Sequence, residues 1–229
     1  MAYRDRYDLE PLRVRAWLRS GVVADRHLPL DGILLYQNHR AALGALEMTV
    51  PGEYTNNAPV ATLPLGILNP GRRHWYYQCS WAQWSHQVEG QDHWNKRFRS
   101  QLVDLVEFGK RRGKVIVEQG EYRAYHMPIF YRTALWVEWY CVGDKKEIEY
   151  FLSTVTHLGK KAVQGWGRVA RWQIEPWPWD WSVWRADGRL MRGIPPEDLD
   201  GHQFDLSVGN YGIRPSYWKR SNQMVLVLP

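Results

Sequence analysis

The sequence predicts an α+β fold with a ferredoxin-like (RRM-like) βαββαβ core, interrupted by a basic thumb-like insertion. A strand–helix pattern opens the chain, and a strand–helix–strand unit follows late in it. Between these two parts, lysine and arginine are concentrated in residues 86–132. At 229 residues the chain is long enough for one sizeable core, so we predict one domain over residues 1–229.

The first part of the predicted core comprises a strand, a helix and further extended pieces. Residues 12–19, LRVRAWLR, alternate apolar and basic side chains, which is typical of a half-buried strand. From Asp31, the stretch DGILLYQNHRAALGALE predicts a helix with Asp31 near its N-cap. Residues 74–84, HWYYQCSWAQW, are aromatic and favour strand structure.

Residues 86–132 are the predicted insertion. We expect this region to open helically, to break at Gly109 and to form a hairpin that turns at Gln119 and Gly120. Residues 96–114 contain seven lysines or arginines, against Asp104 and Glu107. These charges form either a solvated face or a mobile insertion that grips a phosphate backbone, and the pattern leaves both interpretations open.

The clearest unit is a strand–helix–strand pattern in residues 133–175. TALWVEWYCVG predicts a strand, and DKKEIEYFLSTVTHL predicts an amphipathic helix over residues 144–158. Asp144 caps this helix in a capping-box pattern with Glu147, and Gly159 ends it. RVARWQIE is the next strand. Residues 176–229 are rich in Trp and Pro with little periodicity, and we expect them to pack on the core as an extension.

A glycine-rich basic stretch, HLGKKAVQGWGRVARW, joins that helix to the last strand. It places three glycines among four basic residues: Gly159, Gly165, Gly167, Lys160, Lys161, Arg168 and Arg171. This is either an ordinary helix-to-strand turn or a loop whose backbone N–H groups and cations hold a phosphate chain. It is not a nucleotide-binding P-loop, because the GxxxxGK[ST] order is absent.

Composition narrows the class of protein. The net charge of +6 favours a polyanionic partner, and 14 Trp and 13 Tyr against 5 Phe suit interfaces or base stacking. Cys79 and Cys141 are too far apart in sequence for a CxxC metal motif, so we expect no zinc site or disulfide scaffold. No apolar run approaches a membrane span, and MAYRDRYDLEPLRV lacks a signal peptide's apolar region. These features favour a cytoplasmic protein.

Three blocks in collinear order carry a family resemblance. They are LRVRAWLRSGVVADRHLPLDGILLY, GEYRAYHMPI and VEWYCVGDKKEIEYFLSTVTHLGKKAVQGWGRVARWQIEP, with LMRGIPP further on. The helix followed by GKKAVQGWGRV and a strand is similar to the glycine-rich loop of the RAMP superfamily of CRISPR-associated proteins. The series resembles, more narrowly, the small subunit that occupies the Cas-five position in type IV CRISPR effector complexes.

The resemblance implies a RAMP-type domain that binds CRISPR RNA without cutting it. Such a subunit caps the 5′ handle of the guide RNA and seats the repeated backbone subunit. The large subunit, and target DNA through the assembled complex, are further implied partners; no cofactor or metal is implied. The implied RNA-binding residues lie in the loop, the insertion and the GEYRAYHMPI block: Gly159, Lys160, Lys161, Gln164, Gly165, Trp166, Gly167, Arg168, Lys96, Arg97, Arg99, Lys110, Arg111, Arg112, Lys114, Arg123 and His126.

Other interpretations remain open at this point. Trp166 either stacks on an unpaired base or anchors the loop to the core. An endoribonuclease needs proton-transfer groups around a 2′-OH, for which the chain offers His27, Tyr122, Tyr125 and His126. The sequence shows no paired histidine pattern, HExxH, GxSxG or metal-spaced carboxylate cluster, so we expect no enzyme activity. A protein-only assembly scaffold is the third possibility.

Overall fold

The computed structural model of the chain describes residues 7–47, 63–107, 115–119, 122–199 and 207–229. Within these ranges the fold is mixed α/β with antiparallel strand pairs, in agreement with the predicted α+β class. The helices are α1 (Leu30–Glu47) and α2 (Lys145–Ser153). The strands are β1 (Leu9–Leu18), β2 (Ile67–Leu68), β3 (Tyr76–Tyr77), β4 (Gln83–Trp84), β5 (Val88–Lys96), β6 (Tyr125–Thr133), β7 (Trp136–Asp144), β8 (Val169–Pro176), β9 (Val208–Gly212) and β10 (Gln223–Val227).

The central sheet has the strand order β4-β7-β1-β8. Strand β1 pairs antiparallel with β7 on one side and with β8 on the other. The prediction of a half-buried strand is confirmed, because Leu12, Val14 and Ala16 are buried while the side chains between them are partly exposed. The buried face of the sheet therefore forms the main core, against which both helices pack.

Helix α1 starts within one residue of its predicted position. Asp31 lies in the first turn and is buried; its carboxylate accepts hydrogen bonds from the Gly32 N–H at 2.8 Å and from the Tyr217 hydroxyl. Burial raises the pKa of the Asp31 carboxyl, whereas the positive charge of Arg192 and these two donors oppose the rise. Asp31 therefore joins the helix to the C-terminal region, which the sequence did not predict.

Helix α2 has the predicted start but not the predicted end. The Asp144 side chain accepts from the Glu147 N–H at 3.2 Å, which confirms the cap. The helix ends at Ser153 rather than Leu158, so the prediction that Gly159 ends it is wrong. The reason is backbone pairing, since Leu158 N–H donates to the Gly167 carbonyl at 2.8 Å and holds this segment extended.

The region predicted as an insertion contains a two-stranded ribbon. Strands β5 and β6 pair antiparallel over nine residue pairs, from Val88 with Thr133 to Lys96 with Tyr125. The expected helical opening is therefore wrong, because residues 88–96 form a strand and residues 100–105 form a short 3₁₀ helix. Strand β6 pairs with residues 88–96, and just before β6 the Ala124 N–H donates to the Val117 carbonyl at 3.3 Å, across the predicted turn. The predicted break at Gly109 and the glycine of the predicted turn, Gly120, lie outside the described residues. Long-range pairing overrides the local pattern here.

A buried arginine joins the C-terminal region to the core. Strands β9 and β10 lie over a second apolar cluster that includes Trp81, Leu190 and Ile194. Arg192 is 1% exposed, and its guanidinium donates to the backbone carbonyls of Tyr77, Cys79 and Ile213. One side chain thus bonds to segments from both clusters. None of the helices in the described ranges is long and apolar enough to cross a membrane.

We expect Arg192→Lys to lower the free energy of unfolding by about 2 kcal/mol, because an ammonium group cannot span three carbonyls and leaves buried acceptors unpaired. Urea denaturation followed by tryptophan fluorescence measures this. The control is Arg189→Lys, which makes the same chemical change at an exposed position and should change stability by less than about 0.5 kcal/mol. Equal effects of the two substitutions would show that Arg192 does not hold the clusters together.

Candidate nucleic-acid interface

The glycine-rich loop is fastened along the segment that leads from β1 towards α1. The backbone N–H groups of Lys160 and Gly167 donate to the carbonyls of Val23 and Gly21, each at 2.7 Å. The hydroxyl of Ser20 donates to the Gly165 carbonyl at 2.9 Å. These bonds fix the loop's backbone against the edge of the core, while Lys160, Lys161 and Gln164 remain exposed.

The three glycines of the loop have positive φ angles, of 75° at Gly159, 88° at Gly165 and 74° at Gly167. A Cβ on Gly159 or Gly167 would collide with the carbonyl oxygens of Val23 or Leu158, whereas a Cβ on Gly165 would meet open space. Two of the glycines therefore serve close packing of protein backbone. Gly165 is the one of the three that leaves room for a ligand.

The cations of the loop are exposed. Lys160, Lys161 and Arg168 are all exposed, as is Gln164. No carboxylate within the described ranges forms an ion pair with these three cations. Their positive charges are thus available to an external anion.

The loop also contacts the β5–β6 ribbon. The ring of Trp166 lies 4.5 Å from that of Tyr131 on β6, and the Lys161 ammonium lies 4.9 Å from the ring of Trp94 on β5. A Cβ on Gly21 would press against both Tyr131 and Trp166, so this glycine lets the two rings sit close to the backbone. Of the two roles considered for Trp166, the structure favours the anchor.

The other predicted cations that the structure describes lie at the far end of the ribbon, where β5 ends and β6 begins. An open cavity of about 710 Å³ is lined by basic and aromatic side chains: Lys96, Arg97, Phe98, Arg99, Leu102 and Tyr122. Within it, the rings of Phe98 and Tyr122 meet edge to face at 5.1 Å. Arg123 lies over the ring of Tyr125 at 5.7 Å. The remaining predicted cations, Lys110, Arg111, Arg112 and Lys114, lie outside the described residues.

His126 has a neighbour that the sequence did not reveal. The register of the ribbon places Asn95 opposite it, and His126 Nδ1 lies 2.6 Å from the Asn95 side-chain oxygen. The ring of His93 stacks on that of His126 at 4.4 Å, with 3° between the planes. The sequence shows no paired histidine pattern, because this pair arises only from strand pairing, which brings together residues far apart in sequence.

The proton-transfer candidates do not converge. His27 packs on the ring of Trp81 at 4.3 Å, and burial lowers its pKa, as do the charges of Arg26 and Arg132, against the opposing effect of Asp25. Tyr122 lies in the basic cavity, and His126 lies on the ribbon. In the described part of the chain, the ring contacts of these three groups are with other residues, and no three His, Cys, Asp or Glu side chains are grouped as metal ligands.

The comparison with protein families covers almost the whole chain. Residues 10–229 match the family model described as CRISPR type IV associated protein Csf3. The chain belongs to this family. The match confirms the predicted relation to the Cas-five-like subunit of type IV CRISPR complexes. A comparison with curated proteins finds no significant match.

Membership of the Csf3 family places the chain in a type IV CRISPR complex, so other subunits are its expected neighbours. Sequence reasoning identified the loop cations but not the residues that position the loop: Ser20, Gly21, Val23, Trp94 and Tyr131. Among these residues, Trp94 could have been identified from the sequence, because an aromatic residue beside the basic run NKRFR is typical of a nucleic-acid interface.

We expect Gly167→Ala to destabilise the protein far more than Gly165→Ala. Both substitutions put a side chain at positive φ, which costs about 1–2 kcal/mol, but only the former also collides with the Leu158 carbonyl. Gly165→Ala is thus the matched control for backbone strain. Urea unfolding of the two variants measures the difference. If both substitutions lower the free energy of unfolding equally, the close contact between Gly167 and the Leu158 carbonyl does not hold the loop in place.

Proposed function

We propose that the chain is a non-catalytic, CRISPR RNA-binding subunit that caps the 5′ handle of the guide RNA and seats the first backbone subunit. The observation that carries this is the exposure of the loop cations Lys160 and Lys161, which lack carboxylate partners in the described ranges. Phosphate groups are the natural partners of such cations, because counterion release favours their binding.

The position of the ribbon supports an extended RNA path. Lys161 contacts Trp94, and Lys96, two residues along β5, belongs to the basic cavity at the far end of the ribbon. Successive side chains on one face of a strand are two residues apart, so Trp94 and Lys96 share a face. One strand of RNA can therefore run from the loop to the cavity and meet cations at both ends.

The topology supports placing this chain in the RAMP superfamily. Strand β1 leads through α1 to the edge strand β4, and β7 leads through α2 to the edge strand β8. With the spatial order β4-β7-β1-β8, these connections are those of a ferredoxin-like βαββαβ core. In this interpretation the ribbon and residues 97–124 are the thumb-like insertion, and residues 176–229 are an extension on the core.

The same proposal assigns the partners. CRISPR RNA binds the loop and the ribbon, the repeated backbone subunit sits beside the capped handle, and the large subunit belongs to the same complex. Target DNA meets the chain through the assembled complex, and no cofactor is needed because the chain only holds RNA. Membership of the type IV family supports this environment.

An endoribonuclease that processes precursor CRISPR RNA is the second candidate, and the His93–His126 pair is the observation that favours it. Cleavage by a 2′-OH needs one group near the attacking oxygen and another near the leaving oxygen. Two rings stacked 4.4 Å apart with parallel planes leave no room for a phosphate between them. This geometry suits stacking against RNA better than proton transfer, so we retain the non-catalytic assignment.

We expect Lys160→Ala combined with Lys161→Ala to reduce the slope of log affinity against log salt by about 1.4, at about 0.7 per phosphate contact with single-stranded RNA. Binding of a 5′-handle RNA at several salt concentrations, followed by fluorescence anisotropy, gives the slope. The matched control is Lys145→Ala combined with Lys146→Ala, which removes the same charge from α2.

The control variant should keep the wild-type slope. If the loop variant keeps it too, the two lysines face solvent in the complex and the proposed path is wrong. If both variants lower the slope equally, the protein attracts RNA through its net charge rather than through this loop.

A precursor RNA with one repeat should be bound but left intact, with or without Mg²⁺, because His27, Tyr122 and His126 lie at separate places and the stacked rings of His93 and His126 leave no room for a phosphate between them. Denaturing gel electrophoresis after incubation with the purified protein checks this. Cleavage at one bond that is lost in His126→Ala, while RNA binding persists, would instead establish the nuclease.

A further inference from the structure

We propose that a second cavity binds one unpaired nucleobase of the RNA strand. This cavity lies where β5 begins and β6 ends, and the inference rests on the proposed function. The cavity has a volume of about 480 Å³ and lies between the segment after β1, the ribbon and β9. Its volume falls within the range of small-ligand sites. It is lined by aromatic and charged side chains, including Asp25, Arg26, His27, Phe130, Tyr131 and Tyr211.

Aromatic rings form the walls of this second cavity, which is called the pocket from here on. Phe130 is 68% exposed, which is unusual for a large apolar side chain that no partner covers within the described residues. Tyr211 meets the ring of His27 edge to face at 5.6 Å, and His27 in turn packs on Trp81. The rings on this side are thus held in place before any ligand arrives, which reduces the entropic cost of stacking.

The charges of the pocket favour a base over a phosphate. Arg132 is already engaged, since it donates to the Ala24 carbonyl and forms an ion pair with Glu89, each at 3.0 Å. Asp25 accepts from the His27 N–H but is exposed, so its carboxylate retains accepting capacity. Carboxylates repel phosphates, whereas they accept hydrogen bonds from the N–H groups on base edges.

The pocket is continuous with the proposed RNA path. Tyr131 lines the pocket and also contacts Trp166 of the glycine-rich loop at 4.5 Å. An RNA strand held by the loop cations therefore passes beside the pocket's opening. Arg26, exposed at the rim and without a carboxylate partner in the described parts of the chain, is placed to hold the adjoining phosphate. This continuity favours a base of the bound RNA over an unrelated small molecule.

The test uses 5′-handle RNAs in which 2-aminopurine replaces one base at each successive position. We expect binding to change the fluorescence strongly at one position, where the base stacks on Phe130. Phe130→Ala should abolish that change and weaken affinity about tenfold, within the range for loss of one stacked base. The salt slope should stay at the wild-type value, because no cation is removed. Tyr150→Ala, which removes an equally exposed ring from α2, should change none of these.

The possible results separate this inference from the proposed function. If the Phe130→Ala protein binds with wild-type affinity and keeps the fluorescence change, the pocket holds no base, although the RNA-binding function stands. If Phe130→Ala lowers the salt slope, the site contacts phosphate and the base assignment is wrong. If the wild-type protein does not bind the handle RNA at any salt concentration, both the pocket and the proposed function are overturned.

Discussion

Backbone pairing along β1 and its continuation organises the rest of the molecule. The strand pairs with β7 and β8, and the chain that follows it offers the carbonyls of Gly21 and Val23 to the glycine-rich loop. The same continuation pairs with β6, through hydrogen bonds in both directions between Val22 and Arg132. The sheet, the loop and the ribbon thus share one backbone segment. Their relative positions follow from it, because backbone hydrogen bonds fix both distance and direction.

Some of the arginines form contacts within the fold, whereas other cations are exposed and can bind an external anion. Arg15 on β1 is ion-paired with Glu138 at 2.6 Å and lies over the ring of Trp136, and Arg13 is paired with Glu175. Arg192 is buried and satisfied by backbone carbonyls. These arginines stabilise the fold instead of attracting RNA. Exposed cations occur over several parts of the described surface, and two groups of them, in the glycine-rich loop and at the far end of the ribbon, lie along the proposed RNA path.

The loop and the ribbon position each other through aromatic contacts. Trp166 packs on Tyr131, and Lys161 lies over Trp94, so the loop is braced on two strands that come from a distant part of the sequence. Gly159 and Gly167 permit close backbone contact with Val23 and Leu158, so these two glycines fasten the loop to its neighbours. The ammonium groups of Lys160 and Lys161 therefore extend from a backbone that these contacts hold in place. Less conformational entropy is then lost when RNA binds.

The sequence by itself determined the local elements whose patterns agree with the tertiary structure. Alternation in residues 12–19 predicted the strand that forms β1, and the Asp144 cap predicted the start of α2, because period and capping are local properties. The positions of the loop cations were also readable. The tertiary structure alone decided that residues 88–96 form a strand, that α2 stops at Ser153, and that His93 stacks on His126. Each of these depends on pairing between segments far apart in sequence, whose hydrogen bonds outweigh local propensity and leave no trace in a local pattern.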